Sequence, residues 1–215
     1  MTGLLITLEG IEGSGKSTQA SHLRNTLVHE RIPVSLTREP GGSPLAERIR
    51  EILLRGGEEP LAPGAELLLF LAARAQHVAR TIRPALDRGE VVVCDRFTDA
   101  TIAYQGGGRT IPETFLTSLN DWATGGLRPA RTYLLDVPVD VGLERAKKRT
   151  GAPDRFETES RAFFEAVRAR YLYIARREPE RMVVLRGTDP EEILAHQIME
   201  DVHRILSGWT PNVPR

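Results

Sequence analysis

The chain has 215 residues, with 29 Lys plus Arg against 29 Asp plus Glu, 40% hydrophobic and 27% charged. That length suits a single domain, residues 1–215, with a sizeable core, and the balanced charge excludes a generally basic surface for nucleic acid or membrane headgroups. The one cysteine, Cys94, excludes an internal disulfide framework and a multi-thiolate zinc site, so a reducing, cytoplasmic setting is expected.

Residues 4–8 are a short apolar run that reads as a strand, followed by helical spacing from residue 17 to about 30. No export signal is read at this start, and no later run nears the roughly 20 apolar residues of a membrane span. Residues 33–37 read as a second strand, after which Pro40-Gly41-Gly42 breaks the chain before a helix from Pro44 to about Leu54. A long helix is predicted from about Pro63 towards Leu86, stopped by Gly89. Val91-Val92-Val93-Cys94 is a β-branched run of the kind buried on both faces of a parallel sheet, and a functional loop is expected after Asp95-Arg96. Residues 133–137 and 182–185 are two further strands, separated by helices at about 139–149 and 159–177, and a last helix covers about 190–206. Strands alternating with helices predict an α/β fold with a five-stranded, mostly parallel sheet between helical layers. The tail, 208–215, is expected to be loosely held.

Gly10-Ile11-Glu12-Gly13-Ser14-Gly15-Lys16-Ser17 matches G-x-x-x-x-G-K-[ST] and lies between strand and helix, where a phosphate loop belongs. Glycines let successive backbone N–H groups face inward as an anion nest, and the following helix adds its positive end; Thr18 completes the stretch. Lys16 is expected to reach the β- and γ-phosphates of ATP, and Ser17 to hold Mg²⁺ on the same oxygens. Asp95 stands where such folds keep an acidic residue near the metal, with Asp136 as the competing candidate.

A phosphate loop leaves three classes open: a small-molecule kinase, a GTPase-like switch, and an ATP-driven motor or transporter subunit. Asn25, Asn120 and Asn212 all lack a following lysine, so the guanine-reading N-K-x-D sequence is absent. A chain of this size leaves little room for a motor's insertions, and the kinase is favoured. Joining two phosphorylated substrates requires cations, because two like charges about 4 Å apart cost about 4 kcal/mol at an effective dielectric of 20. Isolated arginines at element ends (Arg38, Arg74, Arg96) answer that need, and so does a cluster of Arg145, Lys147, Lys148, Arg149 and Arg155 around Thr150-Gly151-Ala152-Pro153. The cluster reads as a short basic lid, about 147–158, that closes over the transferring group.

Five ordered blocks then resemble the thymidylate kinase family, which phosphorylates dTMP to dTDP with ATP. They are residues 8–18, Thr37-Arg38-Glu39-Pro40-Gly41-Gly42, Leu69-Phe70-Leu71-Ala72-Ala73-Arg74, Asp95-Arg96-Phe97, and Ala103-Tyr104-Gln105-Gly106-Gly107-Gly108-Arg109. With the lid they span about three quarters of the chain. The resemblance implies a P-loop NTPase-type three-layer fold. It implies that Phe70 stacks on thymine, Arg74 donates to a base carbonyl, and Thr101 and Gln105 bind the base edge. Tyr104 would lie against C2′ and exclude a ribose hydroxyl. Arg96 and Arg38 would meet the dTMP phosphate, with Glu39 and Arg50 contributing, and Glu12 would receive the 3′-hydroxyl near the metal. The loop has Gly13 and Ser14 where one family pattern carries its catalytic arginine. The chain is therefore similar to the bacterial pattern, with that arginine in the lid as Arg149 or Arg155. Arg186-Gly187-Thr188 is the candidate adenine contact, and a homodimer through the long helix is implied.

Overall fold

The computed structural model describes residues 3–55, 59–148 and 155–209. Five strands, β1 (Leu4–Glu9), β2 (Val34–Arg38), β3 (Val91–Asp95), β4 (Arg131–Asp136) and β5 (Met182–Arg186), form one sheet in the order β2-β3-β1-β4-β5. Every pairing is parallel, which sharpens the expected mostly parallel sheet. The reason is connectivity: each strand is followed by at least one helix before the next strand, and such crossovers return the chain in the same direction.

Helices α1 (Lys16–His29), α2 (Pro44–Arg55), α3 (Pro63–His77), α4 (Arg83–Asp87), α5 (Thr98–Thr101), α6 (Glu113–Thr124), α7 (Val139–Lys147), α8 (Arg161–Arg177) and α9 (Glu191–Ser207) cover the sheet. Val91, Val92, Val93 and Cys94 have no exposed surface, as a strand covered on both faces requires. One face packs Ile6, Leu8, Val91 and Val93 against α1 and α9, and Leu5, Val92 and Phe97 lie with Ile82 and Leu86 on another side. Because β1 is flanked by β3 and β4, the chain leaves it towards both halves of the sheet. The crevice beyond its carboxyl end is where ligands of open α/β sheets bind.

Two expectations change. The helix from Pro63 is not uniformly α-helical: residues 78–82 form a π-helical turn before α4, and Arg83 N–H bonds to Val78 O. Pro84 has no N–H for the Arg80 carbonyl, and the widened turn accommodates the gap. The stretch after Arg96 is not a loop but α5, a π-helical segment over residues 102–108, and α6. Gly106-Gly107-Gly108 weakens the local helix signal, yet the glycines are needed for packing. A Cβ on Gly108 would lie 2.2 Å from the Phe163 ring of α8, and one on Gly107 would lie 2.8 Å from Ala166 O. Signals for α6 were present in Pro112 before it and Gly125, at φ 61°, after it. In the tail, Trp209 packs on the α1 and α9 side of the core, and the remainder of that expectation lies outside the described residues.

Candidate active site

The loop between β1 and α1 has the conformation its glycines permit. Gly13 sits at φ +69°, and a Cβ there would lie 2.0 Å from Gly142 O, so only glycine lets the loop pack against α7. Lys16 Nζ turns back to donate to Ile11 O at 2.8 Å and Ser14 Oγ at 3.3 Å. Burial, then repulsion from Arg96, lowers its ammonium to about 8, against attraction from Asp95, Glu12 and Glu9. Ser17 Oγ donates to Asp95 Oδ2. Asp136 instead grips Arg168 through both carboxylate oxygens, at 2.6 and 2.9 Å, which separates the two acidic candidates: Asp95 faces the loop.

Beside the loop lies a cleft of about 300 Å³ whose walls include Glu12, Arg38, Glu39, Arg50, Phe70, Arg74, Arg96, Thr101, Tyr104 and Gln105, together with Lys16, Ser17 and Asp95. Residues from six segments of the chain thus meet in one concavity. Arg96 holds a left-handed backbone, φ 71°. Its guanidinium donates to Gly10 O at 2.9 Å, to Tyr171 OH at 3.3 Å and to Glu12 Oε1 at 2.8 Å. The other Glu12 oxygen accepts from Tyr104 OH at 2.6 Å, so Glu12 is held between Arg96 and Tyr104 on the wall it shares with Lys16 and Ser17. The guanidinium of Arg96 also lies 4.8 Å from the Tyr104 ring centre.

Arg74 is 2% exposed and donates to Glu39 Oε2 (2.7 Å), Thr101 Oγ1 (2.7 Å), Asn120 Oδ1 (2.6 Å) and Phe97 O (2.9 Å). Glu39 also meets His77 Nδ1 at 3.1 Å. Burial alone would raise the Glu39 carboxyl, but Arg74 and His77 outweigh it and hold it below the usual range. Glu39 is therefore an anchor for Arg74. Arg38 and Arg50 line the outer wall, Arg38 bonding Glu47 at 3.2 Å and Arg50 bonding Pro40 O at 2.7 Å. Phe156 closes the cleft over Phe70 and Tyr104, with ring centres 5.9 and 5.8 Å apart.

One expected site residue lies apart from the others. Arg155 is not presented to the phosphate loop: it donates to Glu66 Oε2 at 2.7 Å and Leu53 O at 3.1 Å, stacks over Phe156, and is not among the cleft's lining residues. The buried Glu66 carboxylate, 1% exposed, holds it there as an ion pair. Arg149 lies outside the described residues. A second cavity of about 370 Å³ runs from the loop past Arg145, Gly187, Asp189 and Leu194, sharing Gly13, Lys16 and Ser17 with the first. Arg145 Nη1 donates to Gly187 O at 2.8 Å, whereas Lys148 belongs to an exposed pair with Glu144.

Sequence reading missed Glu9, Glu66, Asn120 and Tyr171. Glu9, with no exposed surface, accepts from Phe97 N and from Tyr171 OH, both at 2.7 Å. Burial, then Asp99, raises its carboxyl to about 8, against Arg96, Tyr171 and the Phe97 amide. The signal for Glu9 was a carboxylate ending an apolar strand; the other three lie on helices whose faces were not assigned.

A phosphate loop on a parallel sheet, with two cavities meeting at its lysine and one of them lined by arginines, defines a phosphoryl-transfer enzyme of the P-loop class. The family model "Thymidylate kinase" matches residues 8–198. Thymidylate kinase of Pseudomonas fluorescens (strain SBW25) is 58% identical over 196 residues, 91% of each chain. That of Pseudomonas syringae pv. syringae (strain B728a) is 58% identical over 213 residues, 99% of this chain and 97% of the relative. The crystal structure of thymidylate kinase from Ehrlichia chaffeensis superposes with a TM-score of 0.75 at 33% identity, covering 94% of this chain and 99% of that one. The chain belongs to the thymidylate kinase family, and phosphorylation of dTMP is its reaction.

Proposed function

We propose that dTMP occupies the 300 Å³ cleft, that ATP lies along the loop with its base in the second cavity, and that in-line transfer of the γ-phosphoryl gives dTDP and ADP where the two cavities meet. The observation that carries this reading is that all ten residues expected for the acceptor line one cleft, which runs into Lys16 and Ser17. The acceptor phosphate is already an anion near neutral pH, so positioning and charge neutralisation suffice and no general base is needed.

Arg96 spends three of its five N–H groups on Gly10, Tyr171 and Glu12. The remaining two suit the fork-like grip of a phosphate, with Arg38 and Arg50 on the outer wall. Phe70 would stack on thymine, and Thr101, Gln105 and one uncommitted Arg74 N–H would read its edge. The Tyr104 ring would crowd C2′, and Glu12 would receive the 3′-hydroxyl. Lys16 and the loop amides would hold the triphosphate, and Arg149 in the lid would be the transition-state arginine. Mg²⁺ fits the donor set, because it binds through one or two protein oxygens plus phosphates and water; Ser17 and Asp95 offer such oxygens. When bound it would neutralise charge on the bridging phosphate oxygens.

Exposed Leu68 on α3 and exposed Phe115 and Trp122 on α6, two helices that pack together, would be covered in a homodimer. No helix of the described residues is long and apolar enough to cross a membrane. The test of the function is ADP release from Mg-ATP with dTMP, dUMP, dCMP, dGMP, AMP and UMP in parallel, beside a no-acceptor blank. Release dominated by dTMP with a low blank is expected. Equal release with AMP or dCMP would remove the thymine assignment.

A further inference from the structure

Glu66 lies on α3 one helical turn before the cleft residue Phe70, and it is 1% exposed. Three side chains donate to it: Gln105 Nε2 at 2.9 Å, Arg109 through Nε and Nη2 at 3.3 and 3.2 Å, and Arg155 Nη2 at 2.7 Å. Burial alone would raise its carboxyl, but the bonds from Arg109, Gln105 and Arg155 outweigh it and hold the group below its usual value. An ionised carboxylate can only accept hydrogen bonds. The amide of Gln105 therefore has one permitted orientation: its NH₂ must face Glu66, and its carbonyl oxygen is left for other partners. Among the described residues no donor is bonded to that oxygen, and Gln105 is a wall of the cleft.

This bears on the acceptor base. A glutamine free to turn over offers a donor or an acceptor with equal ease, and reads no difference between bases. A glutamine locked by a charged neighbour offers one polarity. Thymine presents an N3–H donor, which a carbonyl oxygen accepts. Cytosine presents a bare N3 lone pair at the same place, and two acceptors repel. We propose that Glu66 is a positioning residue for base selection, holding the Gln105 amide with its oxygen towards the acceptor so that the cleft takes a pyrimidine with an N3–H and turns cytosine away. The inference rests on the reading that Gln105 meets the base edge.

Arg74 supports the same polarity from the other side. Four of its five N–H groups are committed inside the protein, and any further contact it makes is as a donor. That matches the 4-carbonyl of thymine and opposes the 4-amino group of cytosine.

The test compares kcat/KM for dTMP and dCMP in the unaltered enzyme, Glu66→Gln and Gln105→Ala. A glutamine at 66 can accept or donate, so Gln105 can turn. The dTMP to dCMP ratio should fall about ten-fold, the worth of one mismatched hydrogen bond, chiefly through the two acceptor KM values and with little change in the KM for ATP. A merely structural loss would lower both substrates together and leave the ratio intact, and that result overturns the proposal. Gln105→Ala with unchanged dTMP kinetics would instead overturn the underlying contact between Gln105 and the base. Should Glu66→Gln not fold, nuclear magnetic resonance of the unaltered enzyme with dTMP decides. A protected imide proton on bound dTMP, with the Gln105 NH₂ protons showing no through-space contact to the base, is expected. Contacts from those NH₂ protons to the thymine ring overturn it.

Discussion

Arg74 Nε and Glu39 Oε2 are 2.7 Å apart, and their side chains are 2% and 4% exposed. Two charges so far from water are tolerable only as a pair, with further bonds to His77, Thr101, Asn120 and Phe97 satisfying what remains. Glu39→Ala should cost about 3–5 kcal/mol, because it strands a buried guanidinium. The double change Glu39→Leu with Arg74→Met should cost less than the sum of the two single changes. Urea midpoints of the four proteins measure this, and strict additivity would contradict the pairing.

Arg96 is a cation held between the phosphate loop and the cleft beside it. Arg96→Ala should raise the KM for dTMP at least about ten-fold, the scale of one lost charge-assisted bond, with a smaller change in the KM for ATP. An unaltered dTMP KM would remove Arg96 from the phosphate site.

Tyr104 has two separable parts, a ring packed near Phe156, Phe163 and Tyr171 and a hydroxyl donating to Glu12. Tyr104→Phe should keep the preference for deoxyribose, since the ring supplies the steric wall, while Tyr104→Ala should admit UMP. Initial rates with dUMP and UMP separate the parts. If Tyr104→Ala discriminates as well as the unaltered enzyme, the wall lies elsewhere.

Glu9 gives a pH prediction. Its carboxyl is raised from 4.5 to about 8 in the folded chain, so the fold favours its protonated form. The resulting stabilisation is complete below about 4.5, declines as pH rises through about 8, and is absent above that. Glu9→Gln mimics the protonated group and should flatten this part of the stability profile between pH 5 and 9. Thermal midpoints at several pH values check it, and an unchanged slope would assign the dependence to other groups.

How far the site was legible follows from the kind of signal each residue carries. The phosphate loop was readable because nest, lysine and hydroxyl must be contiguous in a strand-loop-helix unit. The ten residues expected around the acceptor were readable as short blocks, and one cleft gathers all of them. Asp95 could not be separated from Asp136 until Arg168 was seen to occupy the latter. The partner of Arg155 was not legible, because its charge and breaker-rich neighbourhood suggest a phosphate ligand while Glu66, which it meets in the fold, lies 89 positions away.

The sequence by itself determined the α/β alternation, the five strands and the phosphate-loop motif, because hydrophobic period and loop chemistry are local. Only the tertiary structure decided the polarity and partners of the buried side chains. Glu9 meets Tyr171 across 162 positions, and Glu66 meets Gln105 across 39. The physical reason is burial: once water is excluded, each charged or polar group must find its partner inside the fold, and which partner it finds depends on the packing of helices whose facing sides the chain's local pattern does not specify.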